Sequence, residues 1–364
     1  MRIKAASPAH HWRPLRFILL ALGAGSFLIG LWTGLVRLGL DLPGGAPRLW
    51  EYHSAFMISG FLGTVISLER AVALGQRWAF LAPALSALGA TSLVVGAPLL
   101  AAILFLAAGV ALTANSAMVA LRHPAVFTLL LAIAATCWVV GTIAWMLGRG
   151  MPAVSGWWLL FLVLTIAAER LELSRLLSPP RFSAFAVVLI AALAIAGAIR
   201  EELSLRSGLL SGIALLALTL WLIRHDIARR TVRQSGQTRF SAICMLAGYV
   251  WLAVAGLLML LTPPASRVFS YDAVIHAIAI GFVLSMIFGH APIILPAVTG
   301  LRVKYSPLAY GPLALLHVSA LIRVAADLFE AIDLRAASGV VTVVALVSYV
   351  GVLVHASLRK ERTP

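Results

Sequence analysis

The sequence predicts an all-α, polytopic membrane helix bundle of about twelve transmembrane helices, with both termini cytoplasmic. Three observations carry this. The 364 residues are 62% hydrophobic and only 11% charged. Mean hydropathy is +1.01. Span-length apolar runs recur along the chain, each bounded by charges, Gly or Pro. A soluble domain does not carry that balance, because apolar residues would have to cover its surface as well as fill its core. A helix rising about 1.5 Å per residue needs roughly twenty such residues to cross a hydrocarbon core of about 30 Å. The lipid bilayer is therefore the first expected partner.

Taken in order, the basic stretch MRIKAASPAHHWRPLR (1–16) reads as a cytoplasmic flank. The apolar run behind it is span-length and has no small-residue cleavage site close after it, unlike a removed signal. That run is the first span, 17–40. The second, 51–73, opens on WEYHS and closes on SLERAV. The third and fourth, 79–98 and 100–121, are divided by little more than a bend at Pro98. The fifth, 125–147, contains Cys137, and the sixth, 154–176, closes on AAERLE. The seventh and eighth cover 182–199 and 207–223. The ninth, 240–262, contains Cys244, and the tenth, 270–299, is SYDAVIHAIAIGFVLSMIFGHAPIILPAVT. The eleventh, 307–328, and the twelfth, 337–357, complete a single transmembrane domain over 17–357. Residues 358–364 form a cytoplasmic tail.

Charge sets the orientation. With the N-terminus inside, the inside segments hold 20 of the 28 Lys and Arg residues. The densest group, RHDIARRTVRQSGQTR between the eighth and ninth spans, also falls inside, as the positive-inside rule requires. The net charge of +15 is spread between apolar spans and forms no single basic stripe, so nucleic acid is not an expected partner. The two cysteines both lie in apolar runs and make neither a disulfide framework nor a CxxC motif. Glu69-Arg70 closing the second span and Glu169-Arg170 closing the sixth hint at a four-helix repeat; adjacent acid–base pairs are also ordinary interfacial chemistry.

Chemistry in this chain rests on histidine. His10, His11, His123, His225 and His355 lie at span ends or in cytoplasmic segments and read as solvated or interfacial. His53 opens the second span and His276 the tenth, both at the outer end. Along a regular helix, Met57, Gly60, Thr64 and Ser67 follow His53 on one face, and small residues there admit a close approach by a flat ring or another backbone. Two neutral imidazoles at matched depth on facing helices are what axial haem ligation requires. The bland reading of both is helix packing through backbone carbonyls. His290 lies fourteen residues beyond His276, about 21 Å along the helix and on nearly the same face. It is a candidate second metal ligand or a hydrogen-bonded residue at a kink before Pro292 and Pro296. His317 lies near mid-membrane, ahead of an Arg323–Asp327 pair read as interfacial and structural. No HExxH, GxSxG, P-loop or dinucleotide-binding motif is present, so no reaction is assigned. Mid-span carboxylates, which a proton-coupled transporter usually needs, are almost absent.

WEYHSAFMISGF resembles the W-x-x-H-x-x-x-M-x-x-GF signature of the NnrS family, twelve-span bacterial membrane proteins that bind haem and copper and are linked to nitric oxide tolerance. HAIAIGFVLSM is similar to that family's tenth-span H-A-x-x-x-G-x-x-x-x-M stretch at His276, Gly281 and Met286, and VTGLR to its H-T-G-R turn. RPLRFILLALGAGSFLIGLW and LIRVAADL resemble its first and eleventh spans. The family's H-A-H-E-M is here His53-Ser54-Ala55-Phe56-Met57, and its turn histidine is Val298, so two family metal-ligand positions are lost and copper does not carry over. The layout is also similar to subunit I of haem–copper oxidases, with histidines on the second and tenth spans. The sixth and seventh spans lack the copper histidines of that architecture, so reduction of oxygen or nitric oxide at a binuclear centre is not expected. The resemblance implies a bacterial inner-membrane protein with one haem b on His53 and His276, and Met57 and Met286 as lesser candidates. Its partner would be a diatomic gas ligand or a redox protein, in nitrosative-stress handling or membrane electron transfer. The alternative is a cofactor-free solute or ion permease built around His317.

Overall fold

The computed structural model describes residues 13–43, 49–177, 181–202, 208–262 and 266–358. His10 and His11, most of the predicted N-terminal flank and the tail from 359 lie outside those residues. Every predicted apolar segment falls on a helix, and the described residues contain no strand. Ten helices are long and apolar enough to cross a membrane. They are α1 (Arg13–Arg37), α2 (Ala55–Leu74), α4 (Pro98–Arg122), α5 (Val126–Met146), α6 (Met151–Leu177), α7 (Phe182–Glu201), α9 (Gly236–Leu261), α10 (Ser270–Thr299), α11 (Pro307–Leu328) and α12 (Ile332–Leu358). The third and eighth predicted segments are shorter helices, α3 (Leu81–Val94) and α8 (Leu209–His225). Pro98 does not bend a continuing helix. It starts α4, where its fixed φ and missing N–H cost nothing. The twelfth helix begins earlier than the predicted 337, at Ile332.

Sequence neighbours pack as antiparallel pairs: α3 on α4, α4 on α5, α5 on α6, α7 on α8, α8 on α9 and α11 on α12. α6 is the most interior helix and α7 the most peripheral. Large apolar side chains such as Phe182, Phe185 and Leu189 on α7 are exposed, the pattern expected of a lipid-facing wall. α10 runs through the middle of the remaining helices, touching α1, α2, α6, α9 and α11. The two Glu-Arg pairs meet each other: Arg70 on α2 is ion-paired with Glu169 on α6.

α2 and α10 are not regular helices. Each contains a π-helical stretch, Ala55–Gly63 and Ala277–Leu284, placed just after His53 and His276 respectively. A π-helix bonds residue i to i+5, so it turns its side chains differently from an α-helix. The carbonyls it displaces find side-chain donors. Ser26 of α1 donates to the Phe56 carbonyl at 2.9 Å, Ser86 of α3 to that of Ser59 at 2.6 Å, and Thr64 to that of Gly60 at 2.7 Å. The winding takes Gly60, Thr64 and Ser67 off the lining of the cavity beside His53, and of the two expected close approaches they admit that of neighbouring helices. Gly60, Thr64 and Ser67 are fully buried, and a side chain at Gly60 would collide with Ser26 and Ala90. They pack helices together and leave no open strip.

Further along α10, Pro292 and Pro296 sit inside the helix. Proline has no N–H, so the carbonyl four residues back loses its partner. At Phe288 that carbonyl instead accepts the hydroxyl of Tyr349 on α12, whose ring stacks on Phe288 at 3.8 Å between centroids. Ser241 of α9 adds a bond of 2.7 Å to the Gly289 carbonyl.

Candidate functional site

At the end of the bundle where α2, α6, α10 and α12 begin and α1 and α11 end, a cavity of about 340 Å³ opens. That is within the range of small-molecule and cofactor sites. His53 and His276 both line it. Its inner walls are apolar, with Ile58, Phe61 and Leu62 from α2, Leu159 and Leu162 from α6, and Ile280 and Val283 from α10. Its mouth is polar and cationic, with Arg37, Arg323, Arg335, Asp272 and Tyr271.

The two imidazoles are held in the same manner. His53 Nδ1 lies 2.8 Å from the Gly30 carbonyl, with the Thr33 hydroxyl at 3.5 Å. His276 Nδ1 lies 2.7 Å from the Asp272 carbonyl one turn earlier. A carbonyl only accepts, so in each ring Nδ1 carries the proton and Nε2 keeps its lone pair. Neither Nε2 makes a hydrogen bond to a described residue. Donating the far nitrogen to a backbone carbonyl is how ligating histidines are usually oriented.

The close fit around His53 is made by glycine. A Cβ on Gly34 would stand 2.8 Å from the His53 ring, and one on Gly30 would lie 2.6 Å from the Met57 sulfur. Only a helix face without side chains at both positions lets α2 sit this near. Met57 lines the cavity, as does Met151, whose sulfur accepts the Ser54 hydroxyl at 3.7 Å. Tyr271 bonds the Pro152 carbonyl and ties α10 to the start of α6.

A four-membered ionic network borders the mouth. Asp327 takes Arg323 Nε at 2.9 Å and Arg335 Nε at 2.6 Å, and Asp272 takes Arg335 Nη2 at 2.6 Å. The expected Arg323–Asp327 pair is therefore real and structural, and it is also part of a larger cluster. Arg335 additionally stacks on Phe269, 3.4 Å from the ring centre. Arg37, exposed at the end of α1, has no carboxylate partner among the described residues. Three guanidiniums thus face two carboxylates.

The other candidates lie elsewhere. Met286 is buried against Gly248 of α9 and is not part of the cavity lining. His290 is engaged at both nitrogens, Nδ1 with the Met286 carbonyl at 2.8 Å and Nε2 with Arg170 Nη2 at 2.6 Å. A metal there would have to displace Arg170. His317 accepts the Trp251 indole N–H at 2.9 Å and faces the Ser285 hydroxyl at 3.4 Å, which is packing chemistry. His123 and His355 are exposed, and His225 stacks on Trp221. No group of three His, Cys, Asp or Glu is placed to hold a metal among the described residues; an axial pair requires only two.

Sequence reading missed Arg37, Arg335 and Asp272 as parts of one site. The signal for Asp272 was present, since it lies four residues before His276, where a helical carbonyl meets the imidazole. Arg37 and Arg335 come from remote helix ends and have no local signal.

The profile of a family described as Domain of unknown function (DUF8744) matches residues 16–358. No curated protein and no solved structure matches the chain.

Proposed function

The chain belongs to the DUF8744 family, and we propose that it is a twelve-span protein of the bacterial inner membrane, with cytoplasmic termini, that holds one b-type haem. His53 and His276 are the axial ligands in this reading. The observation that carries it is the pair of imidazoles on one cavity, each with Nδ1 tied to a backbone carbonyl and Nε2 left without a partner. The walls fit such a group as well. Apolar side chains would face the macrocycle, and Arg37, Arg323 and Arg335 at the mouth suit its carboxylates. Gly30 and Gly34 supply the close approach that fixes the His53 ring. The short α3 and α8 are counted as crossings here because they lie in antiparallel contact with full-length spans.

Bound there, the haem would supply an iron that changes oxidation state and, if one imidazole yields its position, takes a diatomic gas. The resemblance to the NnrS family points to nitric oxide or nitrosative-stress handling, with membrane electron transfer as the six-coordinate form of the same idea. The permease alternative gains no support from His317, whose ring is already engaged by Trp251 and Ser285.

The test is an absorption spectrum of detergent-purified protein from haem-replete cells, oxidised and dithionite-reduced, beside His53→Ala and His276→Ala. A Soret band with sharp reduced α and β bands, weakened in both variants, supports the reading. A colourless, folded protein overturns it, and transport assays on His317 variants follow.

A further inference from the structure

We propose that the segment between α8 and α9 is a docking platform for the phosphate headgroup of an anionic phospholipid. It lies at the opposite end of the bundle from the cavity and does not depend on the haem reading.

Residues 224–239 contain five arginines, 224, 229, 230, 233 and 239, all exposed. The segment's one acid, Asp226, is fully buried. Its carboxylate is turned inward, where it accepts the Ala228 N–H at 2.6 Å and the Tyr249 hydroxyl at 2.8 Å, with Arg170 Nε 4.0 Å away. It therefore neutralises nothing on the surface.

The segment is also docked. Ala228 is buried in the main core, and Val232 packs against it. A short helix, Ala228–Thr231, thus keeps one side inside and presents Arg229 and Arg230 outward, and Arg233 is exposed in the turn that follows. Arg229 is held over the end of α8 by a bond of 2.8 Å to the Arg224 carbonyl. Three planar guanidiniums on a fixed turn match the oxygens of a phosphodiester.

The occupant is a lipid because of where the turn sits. α8 has 17 residues, about 25 Å of helix, which falls short of a hydrocarbon core of about 30 Å. Its C-terminal end is fixed to α7, where the buried Trp221 indole N–H donates to the Ser183 carbonyl at 2.9 Å. So short a span leaves the basic turn no farther out than the headgroups. Juxtamembrane basic clusters at that depth attract anionic lipid.

The experiment is native mass spectrometry of the purified full chain in neutral detergent, titrated with phosphatidylglycerol or phosphatidylcholine. R229Q/R230Q/R233Q, R229K/R230K/R233K and R122Q, an exposed arginine elsewhere, are titrated alongside. The expected result is preferred retention of phosphatidylglycerol. It should weaken about fivefold per charge removed, or about 100-fold in the triple Gln variant. R122Q should match wild type. The triple Lys variant, which keeps the charge and controls for folding, should fall between wild type and the triple Gln variant, because ammonium groups keep the attraction and lose the planar fit. Equal retention of both lipids overturns the proposal, as does full retention by the triple Gln variant. Displacement of the lipid by millimolar inorganic phosphate also overturns it, because the site would then be one for soluble anions.

Discussion

Asp272 holds His276 through its main chain and Arg335 through its side chain. The carbonyl meets the imidazole Nδ1 at 2.7 Å, and the carboxylate takes the guanidinium at 2.6 Å. The orientation of a candidate ligand on α10 is thereby joined to α12, and through Arg335 to Asp327 and Arg323 on α11. Asp327 is fully buried between two arginines. Asp327→Ala leaves Arg323 buried without its closest carboxylate, which typically costs about 3–5 kcal/mol. A clear fall in the thermal midpoint of the detergent-purified variant is expected, and an unchanged midpoint would show that the network is slack.

The hydroxyl of Tyr349 replaces a helix bond that Pro292 removes. Tyr349→Phe orphans the Phe288 carbonyl and should destabilise the protein by about 1–3 kcal/mol. Pro292→Ala supplies the helix N–H donor that proline lacks, so Tyr349→Phe should cost much less in that background. A thermodynamic cycle over the four proteins measures the coupling, and strict additivity would refute the substitution of one donor for the other.

Gly34→Ala tests the seat of His53. The added methyl would press on the ring at 2.8 Å, whereas a Cβ on Gly25 of the same helix meets nothing within 4 Å. Haem content per protein is expected to fall for Gly34→Ala and to hold for Gly25→Ala. Equal content in both would mean that the ring position is not demanding.

Two substitutions should leave the haem spectrum alone. His317→Phe strands the Trp251 indole N–H, and His290→Ala strands Arg170 Nη2. Each should lower stability by about 1–3 kcal/mol with the Soret band unshifted. A shifted or lost Soret band in His290→Ala would instead place that residue at a metal.

Much of the architecture was legible from residue order alone. Apolar runs bounded by basic and Gly/Pro punctuation marked the long apolar helices, because crossing lipid demands a minimum length and forbids charge, whereas the short helix Ala228–Thr231 has no such run. The site was half legible. His53 and His276 stood out because an imidazole near a membrane interior is costly without a role. Met57 was placed on the right helix, whereas the strip expected below it was not, since π winding leaves no periodic mark in so uniformly apolar a stretch. The ionic mouth could not be read, because Arg37, Asp272 and Arg335 are brought together by three separate helix ends. His290 was read as either a ligand or a kink residue, and its pairing with Arg170, 120 positions away, is a tertiary fact.

The π-helical stretches make the site depend on the number of residues as well as their identity. A π turn holds about one residue more than an α turn. Deleting a single residue between His53 and Gly63, or between His276 and Leu284, would let that stretch rewind as ordinary helix. The turn would still close through about 360°, so the helix on either side would keep its relative phase, and the side chains inside the stretch would be re-aimed. The imidazole would stay in place while the cavity walls built from the stretch, Ile58, Phe61 and Leu62 on α2 or Ile280 and Val283 on α10, would turn away from it. In this chain a one-codon deletion in an apolar tract would therefore reshape the cavity while leaving both histidines where they are.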